Sequence, residues 1–122
     1  MSLVVPNDWG GDLHFSLTEK VVGKWIDDKP IYQKTVYCSS LPAASQKNIP
    51  HGISNLKLIV SAMGIVHWNI NGDDGGCVMH DMTSDSMYCR YRWDQTNIQI
   101  FTKSDWSASE AYFTFLYTKK SD

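Results

Sequence analysis

The sequence predicts a single all-β domain, an antiparallel β-sandwich or jelly roll of about seven or eight strands. Short segments rich in Val, Ile, Thr and aromatic residues alternate with clusters of Gly, Asn, Asp and Ser, which is the pattern of strands separated by turns. These clusters lie too close together for helices of about 11 residues. At 122 residues the chain is long enough to bury one hydrophobic core, and a second independent core is not expected.

The first predicted element is a hairpin near the N-terminus. Two strand-prone runs, Val21–Ile26 and Ile31–Tyr37, flank the polar segment Asp27-Asp28-Lys29-Pro30. Asp favours turns because it hydrogen-bonds its own downstream backbone, and Pro fixes φ and removes a donor. We therefore expect an antiparallel pair, with Pro30 at the start of a strand or on a sheet edge, where no backbone N–H is missed.

The middle of the chain mixes loops and strands. Leu41–Gly52 contains two prolines and is predicted to be a loop. The alternating runs Leu56–Ala62 and Ile65–Ile70 are predicted strands, and Met63-Gly64 between them is a candidate bend, bulge or tight turn. Asn71–Gly76 is the strongest turn signal in the chain and is predicted to be an exposed loop that begins with the Asn-Gly pair favoured in hairpins.

The remaining elements follow at similar spacing. Asp94–Asn97 is a compact hairpin turn, and Ser104–Ser109 is a longer polar loop that carries Trp106. The predicted strands of this half are Gly76–Asp81, Ser86–Trp93, Asn97–Lys103 and Glu110–Lys120. Trp25, Trp68, Phe113 and Phe115 are the aromatic residues predicted to build the core.

Residues 1–122 form one predicted domain, with residues 1–17 expected to be a loosely ordered N-terminal segment.

Composition excludes several classes of protein. The net charge of −2 argues against binding to duplex nucleic acid, which needs many Lys and Arg residues to neutralise phosphates. No run reaches the ~18 apolar residues of a membrane span. The three cysteines, Cys38, Cys77 and Cys89, cannot all pair within one chain and are expected to be buried or partly buried thiols.

Two groups of residues resemble metal-binding motifs, but neither matches its motif fully. Asn71, Asp73 and Gly76 match three positions of a calcium loop, yet Met82 stands where that loop needs a bidentate Glu. Cys77 and His80 form a C-x-x-H pair, but on a strand their side chains would point to opposite faces. We therefore expect no metal and no cofactor.

A glycan hydrolase would need two carboxylates that face one cleft. The two glutamates lie apart in sequence, Glu19 beside the first strand and Glu110 at the start of the last. Their positions fit solvated strand edges better than a catalytic pair, and the nucleophile and metal-protease motifs are absent from the sequence. We expect the protein not to be an enzyme.

Two segments resemble a known family. Thr18–Tyr32 reads T-E-K-V-V-G-K-W-I-D-D-K-P-I-Y and is similar to the string T-E-x-x-V-G-x-W-I-D-G-K-P-I-Y in the C-terminal parts of tail, baseplate and fibre proteins of phages and prophages of Gram-positive bacteria. Phe115–Asp122 resembles the Y-T-K-T-x-D endings of the same proteins, so the two matches cover about a fifth of the chain. Asp28 stands where the string has Gly, which leaves the turn type open.

The resemblance implies a non-enzymatic tail-fibre or baseplate module that attaches the virion to a host cell-surface glycan. It also implies other tail proteins as partners, a homo-oligomer such as a trimer, and a location in the phage tail, or in the bacterial cytoplasm before assembly. The alternative is a purely structural virion domain, a subunit interface or decoration. A small glycan-cleaving enzyme is less favoured than either.

The aromatic residues suggest where a ligand would bind. Flat rings beside polar side chains suit both sugars and protein surfaces, and loops at one end of a sandwich are the usual binding surface. We predict that Trp106 is the stacking platform and that Asp73, Asp74 and Asp105 accept hydrogen bonds from hydroxyl groups. Trp9, Tyr88, Tyr91 and Trp93 are further aromatic residues expected at the surface, and the face that carries Arg90 and Arg92 is the second predicted recognition surface.

Overall fold

The computed structural model describes residues 14–81 and 89–121, and in these residues it confirms the all-β prediction. They contain two packed sheets and no helix, so the domain is a β-sandwich. The larger sheet has five strands and the smaller sheet has four. In this part of the chain, no helix has the length and apolar character needed to cross a membrane.

All but one of the nine strands in the described residues are five residues or longer, and the exception, β6, has two. In chain order they are β1 (Lys20–Lys24), β2 (Pro30–Cys38), β3 (Gln46–Pro50), β4 (Leu56–Ile70), β5 (Asp73–Val78), β6 (His80–Asp81), β7 (Cys89–Trp93), β8 (Asn97–Thr102) and β9 (Ser109–Lys119). The larger sheet has the order β1-β2-β9-β4-β5 and the smaller sheet β3-β8-β7-β6. Neighbouring strands are antiparallel except β6 and β7, which are parallel.

The predicted N-terminal hairpin is present. The N–H of Trp25 donates to the carbonyl of Lys29 at 2.9 Å, and the N–H of Asp28 donates to the carbonyl of Trp25 at 3.0 Å. Asp28 has a φ of 66°, so this aspartate takes the left-handed conformation for which the family string has Gly. Pro30 is the first residue of β2, as predicted.

Two predictions for the middle of the chain were wrong. Residues 41–52 are not all loop, because Gln46–Pro50 forms β3 at an edge of the smaller sheet, where polar residues and a terminal proline are tolerated. The predicted bend at Met63-Gly64 does not occur, since β4 runs unbroken through it. Gly64 has another role, because a Cβ there would lie 3.0 Å from Sδ of Met79 and 3.2 Å from the ring of Phe113.

The exposed loop predicted at residues 71–76 is shorter than expected. Only Asn71 and Gly72 form the turn, with φ values of 53° and 85°, as in the Asn-Gly hairpin turn that the sequence predicts. Residues 73–76 already belong to β5. The strand predicted for residues 76–81 is interrupted at Met79, whose N–H donates to the carbonyl of Gly64 at 2.8 Å. The later turn at Asp94 and the strands β8 and β9 agree with the prediction to within one residue.

The core lies between the sheets and is built largely from β9. Phe113 and Phe115 are fully buried, as predicted, and each contacts an aromatic ring of the smaller sheet. The ring centroids of Phe113 and Tyr91 are 5.2 Å apart, and those of Phe115 and Trp93 are 5.9 Å apart. Fully burying one such side chain contributes about 1.5–3 kcal/mol, so these two pairs hold the sheets together.

The other core predictions were partly correct. Trp68 is partly buried and packs against the core, whereas Trp25 lies outside it at the hairpin turn. Tyr91, expected at the surface, is buried. The cysteines are free thiols, as predicted: Cys38 and Cys89 are buried and Cys77 is partly buried. Trp9 and Tyr88 lie outside the described residues.

The two segments that carry the family resemblance contact each other. Glu19, which precedes β1, accepts a hydrogen bond from the hydroxyl of Tyr117 at 2.5 Å and pairs with Nζ of Lys119 at 2.8 Å. The ring of Tyr32 stacks on Tyr117 with centroids 5.8 Å apart, and Lys119 lies over the same Tyr32 ring. Residues far apart in the chain thus form one contact that fastens the hairpin to the last strand.

Of the N-terminal segment 1–17, only residues 14–17 are among those described. Ser16 accepts a backbone hydrogen bond from the N–H of Thr35 in β2 at 2.9 Å. This contact continues the line of β1 along the edge of the larger sheet.

Candidate functional site

An open depression at one end of the sandwich joins the two predicted recognition segments. It has a volume of about 370 Å³, which is within the range of small-ligand sites. It is lined by Trp68, Ile70, Asp73, Asp105, Trp106 and Ser109. Three of the predicted site residues, Asp73, Asp105 and Trp106, therefore lie together although they come from separate parts of the chain.

The loop before β9 holds Trp106 in place. The N–H of Trp106 donates to the carbonyl of Pro42 at 3.2 Å, and its carbonyl accepts the N–H of Ser109 at 3.0 Å. Its indole Nε1 donates to Oγ of Ser104 at 3.1 Å. The side chain is only partly exposed and packs against the core, so Trp106 is a rigid wall of the depression and not the freely exposed platform that we expected.

Trp68 forms the second aromatic wall. It meets Trp106 edge to face, with ring centroids 6.1 Å apart and an interplanar angle of 81°. The sequence predicts Trp68 only as a core residue and does not predict Ile70 as a residue of the site. Both follow Val66 at intervals of two along β4, so strand alternation indicates that they share the face of this buried valine. Alternation does not indicate that this end of the face is open to solvent.

The two carboxylates of the depression differ in how they are held. Oδ1 of Asp105 accepts the N–H of Ser107 at 2.9 Å, and hydrogen bonds from Ser107 lower the pKa of this carboxyl group. Asp73 is the exposed first residue of β5, opposite Ile70 in the register. Among residues 14–81 and 89–121, no basic side chain forms an ion pair with either carboxylate.

Asp74 does not line this depression, because adjacent residues of a strand point to opposite faces. It lies on the outer face of the larger sheet, where its Oδ1 is 2.7 Å from Nε2 of His67. Nδ1 of His67 is 2.7 Å from Oε2 of Glu110, and Oε1 of Glu110 accepts the hydroxyl hydrogen of Tyr37 at 2.7 Å. Sequence reasoning did not predict this Tyr37–Glu110–His67–Asp74 chain, because it needs the register of β2, β9, β4 and β5.

The electrostatics of this chain favour a charged imidazole. Hydrogen bonding to Glu110 and then to Asp74 raises the pKa of His67, since both ring nitrogens can donate only when the ring is protonated. Hydrogen bonds from Tyr37 and His67 lower the pKa of Glu110, and the bond to Glu110 raises the pKa of Tyr37 to about 12. These four hydrogen-bonded side chains lie on the outer face of the larger sheet, and none of them lines the depression.

Glu19 and Glu110 have separate partners. Glu19 contacts Tyr117 and Lys119 near the end of β9, while Glu110 lies near its start. Seven residues of strand correspond to roughly 23 Å, and Glu110 and Tyr117 lie on opposite faces. The two carboxylates therefore do not face one cleft.

The second predicted surface lies on the smaller sheet. Arg90 and Arg92 are on its outer face, opposite Phe101 and Gln99 in the register. The guanidinium of Arg90 lies 4.8 Å from the centroid of the Phe101 ring, and Arg92 is exposed. Neither arginine lines the depression, so the two predicted surfaces are separate.

The metal-site hypotheses find no support in the part of the chain that the structure describes. No group of three or more His, Cys, Asp or Glu side chains there could hold a metal ion. Asn71 and Asp73 belong to a tight hairpin, and Cys77 is a partly buried residue that packs against the core. The side chain of His80 is not among those described.

Comparisons of the chain with protein-family models, with curated proteins and with solved structures find no match.

Proposed function

We propose that this domain is a non-enzymatic binding module that attaches to a glycan of a host cell surface. The observation that carries the proposal is the meeting of Trp106 and Trp68 with Asp73 and Asp105 in one open depression. Indole rings stack on the C–H faces of sugars, and carboxylate oxygens accept hydrogen bonds from hydroxyl groups. The surrounding sheets keep this site rigid, which reduces the entropy lost on binding.

One such site binds a sugar weakly. A ring stack with one or two hydrogen bonds corresponds to millimolar affinity, about −4 kcal/mol. Useful attachment therefore requires several copies, because linking sites raises the overall affinity without any new contact. We propose a homo-oligomer, such as a trimer, in which several depressions engage one surface.

The family resemblance gives this proposal its biological setting. Glu19, in the first matched segment, bonds to Tyr117 and Lys119 in the second. A shared fold would explain why these two sequence motifs occur in the same proteins. On that basis we propose a place in a phage or prophage tail fibre or baseplate, next to other tail proteins, with the bacterial cytoplasm as the location before assembly.

Substitution of Trp106 tests the proposal. Trp106→Ala should weaken binding to host cells or to an array glycan by at least about tenfold, the equivalent of 1.4 kcal/mol. Trp25→Ala is the matched control, because Trp25 is a partly exposed indole at the hairpin turn and does not line the depression. If a folded Trp106→Ala protein binds as well as the wild type, or if no cell or glycan is bound at high protein concentration, the proposal fails.

A structural role is the second candidate, and a different surface favours it. The outer face of the larger sheet exposes Leu17 (62%), Met63 (45%) and Val78 (57%) together with the tilted ring pair Tyr37 and Tyr112. Apolar exposure of this kind is common at subunit contacts. If Tyr112→Ala dissociates an oligomer and Trp106→Ala leaves it intact, the outer face is a subunit interface; binding by the depression is measured independently.

A further inference from the structure

The walls of the depression combine aromatic rings with negative charge. Two indole rings stand nearly perpendicular, 81° apart with centroids separated by 6.1 Å. Two carboxylates, Asp73 and Asp105, line the same space, and none of the Lys, Arg and His residues in the described part of the chain lines it. The walls therefore combine two indole rings with two formal negative charges.

We propose that this depression selects an ammonium group, such as the free amine of an amino sugar or of an amine-bearing substituent on a surface polymer. This inference rests on the proposed function, because it names the chemical class of the ligand at the same site. A cation near an indole face is attracted by the ring quadrupole, and Trp is the best of the aromatic residues in this role. The carboxylates add a direct Coulombic attraction.

Charge complementarity also argues against the other ligand classes. An anionic polymer would meet two carboxylates without a neighbouring cation, because no described basic residue pairs with them. A neutral sugar can bind, but it leaves both charges without a counter-ion. An ammonium group satisfies the charges and the rings together, so it should bind more tightly than its neutral counterpart.

Asp105 is positioned for this role by its own loop. Its Oδ1 is occupied by the N–H of Ser107, and its backbone bridges to Ala43. The carboxylate is thus held in place before a ligand arrives. Asp73 is held by the tight turn at Asn71 and Gly72.

The test compares two oligosaccharides whose amino groups are free and cationic in one and acetylated and neutral in the other, so that the Asp variants below separate the effect of charge from that of the acetyl group. Glucosamine oligomers and N-acetylglucosamine oligomers of equal length are titrated against the protein, with binding followed by Trp fluorescence and by NMR. We expect the cationic oligomer to bind at least about fivefold more tightly, and the preference to shrink as salt is raised, because these charges are near solvent.

Three variants assign the preference to the site. Asp73→Asn and Asp105→Asn should each reduce the preference for the cationic oligomer. Asp74→Asn is the matched control, because it removes a neighbouring carboxylate on the opposite face of the same strand, and it should leave the preference unchanged. Thermal melts of every variant verify folding, and the salt dependence of the wild type measures the same property without any substitution.

The outcomes separate this inference from the proposed function. Equal affinity for both oligomers, or a preference that survives in Asp73→Asn and Asp105→Asn, overturns the ammonium inference while glycan binding stands. Failure of the cationic oligomer to bind also overturns it, even if a neutral array glycan binds through Trp106. If cells and array glycans also fail to bind, the proposed function falls as well.

Discussion

The contact between Tyr117 and Glu19 makes a quantitative prediction about stability. Tyr117 is fully buried, and its hydroxyl donates to Oε2 of Glu19 at 2.5 Å. Tyr117→Phe removes this hydroxyl and leaves the ring in the core. Hydrogen bonds to charged groups contribute about 1.5–3 kcal/mol. The side chain of Glu19 is 31% exposed and keeps its bond to Lys119, so water and Lys119 offset part of the loss.

We therefore expect Tyr117→Phe to lower the free energy of unfolding by about 1.5 kcal/mol, at the lower end of that range. For a domain of this size the change corresponds to a fall in Tm of roughly 6 °C. Denaturant unfolding and calorimetry measure both quantities. Tyr112→Phe is the control, since Tyr112 is exposed on the same strand, and substitutions at such surface positions usually change stability by less than about 0.5 kcal/mol.

A double-mutant cycle with Glu19→Gln isolates the contact. Residues that share a hydrogen bond show coupling energies of about 0.5–3 kcal/mol, and we expect about 1 kcal/mol. If Tyr117→Phe is no more destabilising than Tyr112→Phe, or if the effects of Tyr117→Phe and Glu19→Gln simply add, the contact does not fasten the hairpin to the last strand.

The pH dependence gives a further check on the same contact. Burial raises the pKa of Glu19, but hydrogen bonds from Lys119 and Tyr117 outweigh this effect and hold the pKa below its ordinary value. A depressed folded pKa contributes stability above the unfolded pKa, and that contribution is lost as pH falls through the folded value. The difference in free energy of unfolding between wild type and Glu19→Gln should therefore become smaller as the pH is lowered into the acid range.

Three further predictions concern other parts of the fold. Gly76→Ala should lower the free energy of unfolding, measured in urea, by roughly 1–3 kcal/mol, because its Cβ would lie 2.2 Å from a backbone oxygen of β4. Gly23→Ala is the control and should be nearly neutral, since a Cβ there would have no atom within 4 Å; equal effects of the two substitutions would refute this. The raised pKa of His67 means that its stabilisation is present below the ordinary His value and is lost as pH rises through the folded pKa. The Tm advantage of wild type over His67→Gln should therefore decline as pH rises above about 6.5, and a flat difference would contradict it. In native protein, a thiol reagent should modify Cys77 first, because the other two cysteines are buried; mass spectrometry that finds all three modified at one rate would exclude this.

The candidate site shows which residues strand alternation can assign to one face and where such an assignment depends on the strand boundary. Asp73 and Asp74 were predicted to act together because they adjoin in a presumed loop. The turn uses only Asn71 and Gly72, so the two aspartates lie in a strand and face opposite ways. Asp73 reaches the depression and Asp74 reaches His67. A correct strand boundary would have separated them from sequence alone.

The sequence by itself determined the fold class, the first hairpin, the Asn71-Gly72 turn and the burial of Phe113 and Phe115. These features depend on local signals, namely the period of two along a strand and the backbone preferences of Asn, Asp, Gly and Pro. Such signals act within a few residues, so they appear in the sequence wherever they occur.

Only the tertiary structure decided which distant side chains meet. Trp106 joins Trp68 across 38 positions of the chain, and Glu19 joins Tyr117 across 98. Both contacts depend on which strands pair and in what register. Strand pairing is set by the packing of the whole core rather than by any local preference. The residues of the depression were therefore recognisable as types in the sequence, but their assembly into one site is a property of the folded sandwich.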